Sequence, residues 1–249
     1  MSVSKNKLKY LRSLRQKKYR QMYNKFVAEG DKLAREILAT KHPVQWIVAT
    51  TEWLENTSIP LPADKLLIAS QREFAQLSNL KTPQGVLVVA ECLPEPQPPY
   101  FSSNRWSIYL DDIQDPGNLG TMLRIARWFG ASPVILSPHS VEVYNPKVIQ
   151  SSMGAAWQVP VVRKSLDILV EAEDVPVYAA DMSGTSVFEP REYPPGLLII
   201  GNEGRGLSGE WHPLINKFLS IPHGPGGAGE SLNAAVACGI ILAAVSSPK

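Results

Sequence analysis

Cysteine is scarce in this chain, acidic residues are missing from its first 25 positions, and no apolar run is long enough to cross a bilayer. Its only two cysteines, Cys92 and Cys238, both sit among apolar neighbours. They form neither a metal-ligand nor a redox spacing, so they read as buried, reduced thiols in a cytosolic protein. The longest nearly continuous apolar stretch, Ala234 to Val245, is broken by Gly239 and is too short for a membrane-spanning helix, so it reads as a buried one. The N-terminus is basic but has no apolar signal core, which argues against secretion. A hydrophobic fraction of 44% with 19% charged residues is that of an ordinary globular protein. No cluster of metal-ligating residues stands out, so no metal is expected.

What the chain does have is an uneven charge. Nine Lys and Arg fall between Lys5 and Lys25, whereas the net charge of the whole is only +2, so the rest is mildly acidic. Such an arm suits contact with a polyanion, where each neutralised phosphate releases counterions. On charge alone, a solvated and partly disordered tail fits as well.

The composition changes near Cys92–Tyr100, where four prolines in six residues mark a stiff, extended connector. This gives a small α/β domain over residues 1–91, a linker over 92–104 and a larger domain over 105–249. In the first domain Tyr19 to Lys41 reads as helical with a possible break near Gly30. Gln45–Ala49, Lys65–Ala69 and Gly85–Ala90 read as strands, with a short helix over Arg72–Asn79. In the second domain strands are expected at Ser107–Leu110, Pro133–Leu136, Val159–Val162, Val177–Ala180, Leu197–Ile200 and Phe218–Ile221. Helices are expected at Asn118–Phe129, Pro146–Ala155, Leu166–Glu173 and Leu232–Val245. This alternation implies a mostly parallel sheet covered on both faces.

Three segments each follow an apolar strand. The first is Asn118 to Gly130, whose Leu119, Met122, Leu123 and Ala126 share one helical face while Arg124 falls off it. The second, Gly201-Asn202-Glu203-Gly204-Arg205-Gly206, allows tight turns and close backbone approach to a ligand. It lacks the Lys-Ser/Thr of a P-loop and the spacing of a dinucleotide fingerprint. The third runs from Ile221-Pro222 through a glycine-rich loop to Ser231-Leu232-Asn233. Ser231 is a candidate cap for the helix behind it, with Asn233 in its first turn. Each segment alone is also compatible with an ordinary turn, cap or surface residue.

Taken together and in order, the three segments resemble the motifs of the SpoU/TrmH family of RNA ribose 2′-O-methyltransferases, within the SPOUT superfamily. The matching residues are Asn118, Gly120, Arg124, Ala126, Phe129 and Gly130, then Gly201 to Gly206, then Ile221, Pro222, Ser231, Leu232 and Asn233. Phe26–Gly30 and Thr82–Leu87 resemble landmarks of the substrate-binding domain found in many members, which is similar to the ribosomal L30e/L7Ae RNA-binding fold.

The resemblance implies an α/β fold whose C-terminal, mostly parallel sheet carries a trefoil knot. It also implies S-adenosylmethionine as cofactor, RNA as substrate and a homodimer formed through the knotted domain, with no membrane association. Ribosomal RNA is preferred, with tRNA possible. Gly201, Asn202, Gly206, Ile221, Pro222 and Leu232 would bind the cofactor. Arg124 would be essential for transfer, supported by Asn118, Glu203, Ser231 and Asn233. A guanidinium has a pKa above ~12, so Arg124 would position phosphate and stabilise a developing oxyanion instead of acting as a base. The chain departs from the family in a longer glycine-rich loop after Pro222 and in Ala234-Ala235, where a small polar residue is common. Two other classes remain: a non-catalytic RNA-binding or ribosome-assembly protein on the same fold, and a nicotinamide-dependent enzyme, which lacks its fingerprint here.

Overall fold

The computed structural model describes residues 3–190 and 192–246. They form two compact units, Met1–Leu93 with Glu142–Trp157, and Pro94–Val141 with Gln158–Lys249.

The first unit contains α1 (Lys5–Ser13), α2 (Lys17–Tyr23), β1 (Lys25–Glu29), α3 (Asp31–Ala39), β2 (Val44–Ala49), α4 (Thr51–Asn56), β3 (Leu66–Ile68), α5 (Gln71–Leu77) and β4 (Val86–Glu91). Its sheet has the order β1-β4-β2-β3, with β4 antiparallel to both neighbours and β2 parallel to β3. The helical reading of Tyr19–Lys41 is corrected here, because a strand divides it. Asn24 takes a left-handed conformation (φ 52°) that ends α2, and Phe26–Glu29 then pairs with β4. Gly30 has φ 102°, and a Cβ there would lie 2.7 Å from Gln84 Oε1. The same oxygen accepts from Asp31 N–H at 3.1 Å. The two landmark segments of the sequence thus meet across β1 and β4.

The basic arm is structured. Val3, Leu11 and Leu14 are buried in one cluster with Val48, Leu67, Phe74 and Leu87. A partly disordered tail is therefore not what these residues form. Arg20 is 3% exposed. Its guanidinium donates to the carbonyls of Leu14 (3.0 Å) and Arg15 (2.7 Å) and to both oxygens of Glu142 (3.1 and 2.5 Å). Removing one partner from a buried pair of this kind typically costs about 3–5 kcal/mol, because the other charge is stranded. The segment Glu142–Trp157 also supplies α7 (Pro146–Ser152), and Tyr144 and Trp157 stack on the fully buried Phe26 at 4.9 and 5.7 Å.

The second unit is a six-stranded, wholly parallel sheet. Numbering continues in chain order with β5 (Ser107–Leu110), α6 (Pro116–Phe129), β6 (Val134–Leu136), β7 (Val161–Arg163), α8 (Leu166–Ala172), β8 (Val177–Ser186), β9 (Leu197–Ile200), β10 (Lys217–Ser220) and α9 (Ala234–Ser246). The strand order is β10-β8-β9-β5-β6-β7. Successive strands run outward from β5 through β6 to β7, and the chain then returns to the other side of β5. This reversal lies between β5 and β9, and open parallel sheets bind ligands at the carboxyl ends beside such a reversal. Every residue of β5 and β9 is buried, as central parallel strands require.

Burial pushes both thiols, Cys92 and Cys238, up to about 12, so each stays protonated at neutral pH. No helix among the described residues is long and apolar enough to cross a membrane.

Candidate active site

The three segments singled out in the sequence all leave carboxyl ends of parallel strands. Asp111–Asp115 follows β5, Gly201–Gly206 follows β9, and Ile221 onward follows β10.

After β5 the chain turns at Asp112 (φ 52°) and enters α6. Asp115 caps that helix by accepting from Asn118 N–H at 2.8 Å, and Pro116 occupies its first turn, where a missing N–H costs nothing. The helix therefore begins two residues before the sequence placed it. Gly130, left-handed at φ 67°, ends it.

After β9, Asn202 and Gly206 exchange backbone hydrogen bonds of 3.0 and 2.9 Å, closing a small loop. The Asn202 side chain holds that loop from inside. Its Oδ1 accepts from Gly204 N–H (2.9 Å) and Arg205 N–H (3.1 Å), and its Nδ2 donates to Asp112 O (2.9 Å). A Cβ on Gly201 would lie 2.6 Å from the Gly206 carbonyl, so only glycine fits.

After β10 the glycine-rich loop leads to α9. Asn233 is the helix cap, its Oδ1 accepting from Ala235 N–H (3.0 Å) and Val236 N–H (3.2 Å). This corrects the assignment of the cap to Ser231 and of Asn233 to the first helical turn. The two are interchangeable cap types, and the helix starts at Ala234 instead of near Leu232.

The same asparagine joins the segments. Asn233 Nδ2 donates to Asn118 Oδ1 at 3.0 Å, and Asn118 Nδ2 donates to the Glu203 carboxylate. One hydrogen-bonded chain, Asn233–Asn118–Glu203, thus takes a residue from each motif. Glu203 is tied to Asn118, and Arg205 pairs instead with Asp112.

Beside this chain lies a cleft of about 870 Å³. Gly201, Asn202, Gly206, Ile221, Pro222 and Leu232 all line it, as do Glu203 and Ser231. Ile200, Leu219 and Ile241 supply apolar wall. Sequence reasoning missed Asp181, which also lines the cleft. Ser183 donates to its Oδ1 through N–H (2.8 Å) and hydroxyl (2.5 Å), holding the carboxyl below its usual range. The cleft therefore carries a fixed negative charge. The available signal was a carboxylate placed directly after the apolar run Val177–Ala180.

Arg124 is not among the lining residues. It is exposed on α6, six residues beyond Asn118, which places it about 9 Å along the axis and on a different face. Trp128, one turn further, is 85% exposed. On α9, which packs beside α6, Val236 is 50% exposed.

A parallel α/β sheet with a glycine-rich loop cleft at its carboxyl strand ends, and asparagines hydrogen-bonded beside it, is the arrangement of a ligand-binding α/β protein. The SpoU rRNA Methylase family model matches residues 105–243, and an MRM3-like substrate binding domain matches residues 5–88. This chain belongs to the SpoU family.

Over 97% of its length it is 32% identical to the 23S rRNA (guanosine(2553)-2′-O)-methyltransferase RlmP of Bacillus subtilis (strain 168), covering 96% of that protein. A TrmH-family structure from Porphyromonas gingivalis superposes with a TM-score of 0.84 at 36% identity, covering 98% of both chains. An AdoMet-bound rRNA methyltransferase from Sinorhizobium meliloti gives 0.82 at 26% identity, covering 98% of this chain and 95% of the other.

Proposed function

We propose that this protein transfers a methyl group from S-adenosylmethionine to a ribose 2′-hydroxyl of structured RNA, and that the RNA is ribosomal. The observation that carries this reading is a cleft lined by the second and third motifs, to which the first is tied by the hydrogen-bonded chain Asn233–Asn118–Glu203. The near full-length relative named as a 23S rRNA 2′-O-methyltransferase supports the substrate class. The structural neighbour with bound AdoMet supports the cofactor.

The cleft suits that cofactor. Its volume of about 870 Å³ lies within the ~300–1,000 Å³ usual for small-molecule sites. Ile221, Leu232 and Ile241 offer an apolar wall to a purine ring, and the Gly201–Gly206 loop lets backbone groups approach closely. Asp181, held ionised, complements a cationic ligand. When bound, the cofactor supplies an activated methyl on a sulfonium, which needs no Lewis acid. The side-chain amides of Asn118 and Asn233 hold the Glu203 edge in place beside it.

Arg124 anchors an RNA phosphate and stabilises charge developing on the ribose oxygen. Exposed and outside the lining of its own cleft, it serves the cleft of a second copy. The exposed face bearing Trp128 and Val236 is where that copy docks. The trefoil knot proposed for this unit involves the stretch from the sheet-edge strand β10 to α9, which packs along α6. Residues 1–91, completed by Glu142–Trp157, bind the RNA substrate, 92–104 connect, and the rest of 105–249 carries the transfer site. Two cysteines not joined by a disulfide fit a reducing, cytoplasmic location.

Titration with S-adenosylmethionine in excess chelator is expected to show saturable binding, and the protein is expected to methylate ribosomal RNA in preference to tRNA. Binding of NAD but not S-adenosylhomocysteine would overturn the reading. Sedimentation at micromolar concentration is expected to give twice the 27.4 kDa chain mass, and Trp128→Glu to give monomers. A fully active monomer would remove the role given to the α6–α9 face.

A further inference from the structure

The first unit holds a cluster of tyrosines, anchored to its core through Tyr10, whose outer rings methyl transfer does not use. In the seven residues of α2 the buried side chain is an arginine, Arg20. This inverts the usual helix, which buries its apolar residues. Met22 is 61% exposed and Tyr23 42% exposed. Tyr19 and Tyr23, one turn apart, have ring centroids 6.3 Å apart and planes only 15° from parallel. Tyr10 meets Tyr23 edge-on at 5.0 Å and is held in turn by its hydroxyl, which donates to Gln45 Oε1 at 2.7 Å. The polar anchor of Arg20 fixes the helix and leaves Tyr23 exposed and Tyr19 half-buried. Lys17 and Lys18 stand exposed on the same helix, with the Lys18 ammonium 5.9 Å from the Tyr19 ring. Residues 1–25 hold no acidic side chain to compete for those cations.

We propose that Tyr19 and Tyr23 form a base-stacking platform for an unpaired stretch of RNA, with Lys17 and Lys18 contacting its phosphates. The proposal rests on the RNA-methylating function above and names the form of RNA this surface takes. Bases offer their faces to aromatic side chains only where they are not already stacked in a duplex, and such stacking tolerates any base. Rings held in place before binding lose little freedom when a base arrives. Cations beside them supply the attraction to the backbone that aromatic rings lack.

The test uses the full chain and two probes, a single-stranded oligouridylate and an RNA duplex of the same length. Tyr19→Ala and Tyr23→Ala are each expected to weaken single-strand binding on the order of ten-fold, with duplex binding unchanged. Tyr23→Phe retains the ring and is expected to behave as wild type. The dependence of affinity on salt keeps its slope in the tyrosine variants. In Lys17→Gln with Lys18→Gln the slope becomes shallower by about 0.7 for each lost phosphate contact. Tyr19→Leu with Tyr23→Leu keeps apolar bulk without an aromatic face, so it repeats the loss in a helix that retains its packing. Unchanged single-strand affinity in that variant, or equal losses on both probes, would overturn the platform. S-adenosylmethionine affinity, read in parallel, reports on the methylating function alone.

Discussion

Arg124→Ala is expected to lower methyl transfer by about 10²–10³-fold, the loss typical when a preorganised charge is removed from a developing oxyanion, and to leave cofactor affinity and melting temperature unchanged. The separation of these readouts follows from position. Arg124 is exposed and does not line its own cleft, so its removal takes nothing from the core or from the cofactor. Arg124→Lys recovers little, because a compact ammonium cannot reproduce the planar fork that grips a phosphate. Single-turnover transfer to ribosomal RNA, with calorimetric titration of the cofactor alongside, makes the measurement. Near-normal turnover in Arg124→Ala would end the assignment. Mixing this variant with one disabled in the cleft but still dimeric is expected to restore activity, since each mixed dimer holds one intact cleft facing one intact arginine. Failure to restore would place Arg124 in its own subunit's chemistry.

Gly201→Ala is expected to weaken S-adenosylmethionine binding severely. The added carbon would lie 2.6 Å from the carbon and oxygen of Gly206 and 2.8 Å from Leu207 N, all backbone atoms. Those atoms can yield only by breaking the paired Asn202–Gly206 hydrogen bonds that close the loop. Overpacking of this kind costs about 1–3 kcal/mol. Borne by the loop that frames the cleft, it amounts to about 5- to 150-fold in affinity. Gly209→Ala is the control, because nothing lies within 4 Å of a Cβ there, and it is expected to bind as wild type. Equal affinities for the two variants would show that the loop after β9 does not touch the cofactor.

The parallel strands of the second unit were readable because each begins as an apolar run after a polar turn; five of the six fall within two residues of their expected positions, while β8 continues six residues past Ala180 into a polar stretch. Their lateral order was not readable, since nothing local to Leu197–Ile200 announces that it sits beside Ser107–Leu110. In the first unit, Phe26–Glu29 was absorbed into a helix because the run from Tyr19 is rich in helix formers. The break is made by Asn24, whose left-handed conformation a sequence does not advertise. Charge obscured α1 in the same way: Leu8, Leu11 and Leu14 lie among so many lysines and arginines that the arm reads as a tail. In the site, the glycine and asparagine motifs were legible through their resemblance to a family. The bonds that tie Asn118 to Glu203 and Asn233 span 85 and 115 residues. No spacing rule reaches across such distances. Ser231 was mistaken for the cap because serine and asparagine, two residues apart, satisfy the same rule. Asp181 belongs to no motif, and its one signal, a carboxylate directly after an apolar strand run, gains meaning only beside the cleft it lines.

The buried carboxylate that answers Arg20 is Glu142, 122 residues further along the chain. On a ribosome adding about 5–20 residues per second, that interval is roughly 6–25 seconds. Throughout it Arg20 has its carbonyl acceptors but no counter-charge, and Phe26 lacks the rings of Tyr144 and Trp157. The first-made portion of this protein therefore matures late, after β5 and α6 have already emerged. A gene fragment ending at Leu93 encodes an unfinished fold, and recombination at the proline-rich stretch would separate Arg20 and Phe26 from the side chains that complete their surroundings. Glu142–Trp157 is thus a late-made piece of the first unit, carried within the sequence of the second.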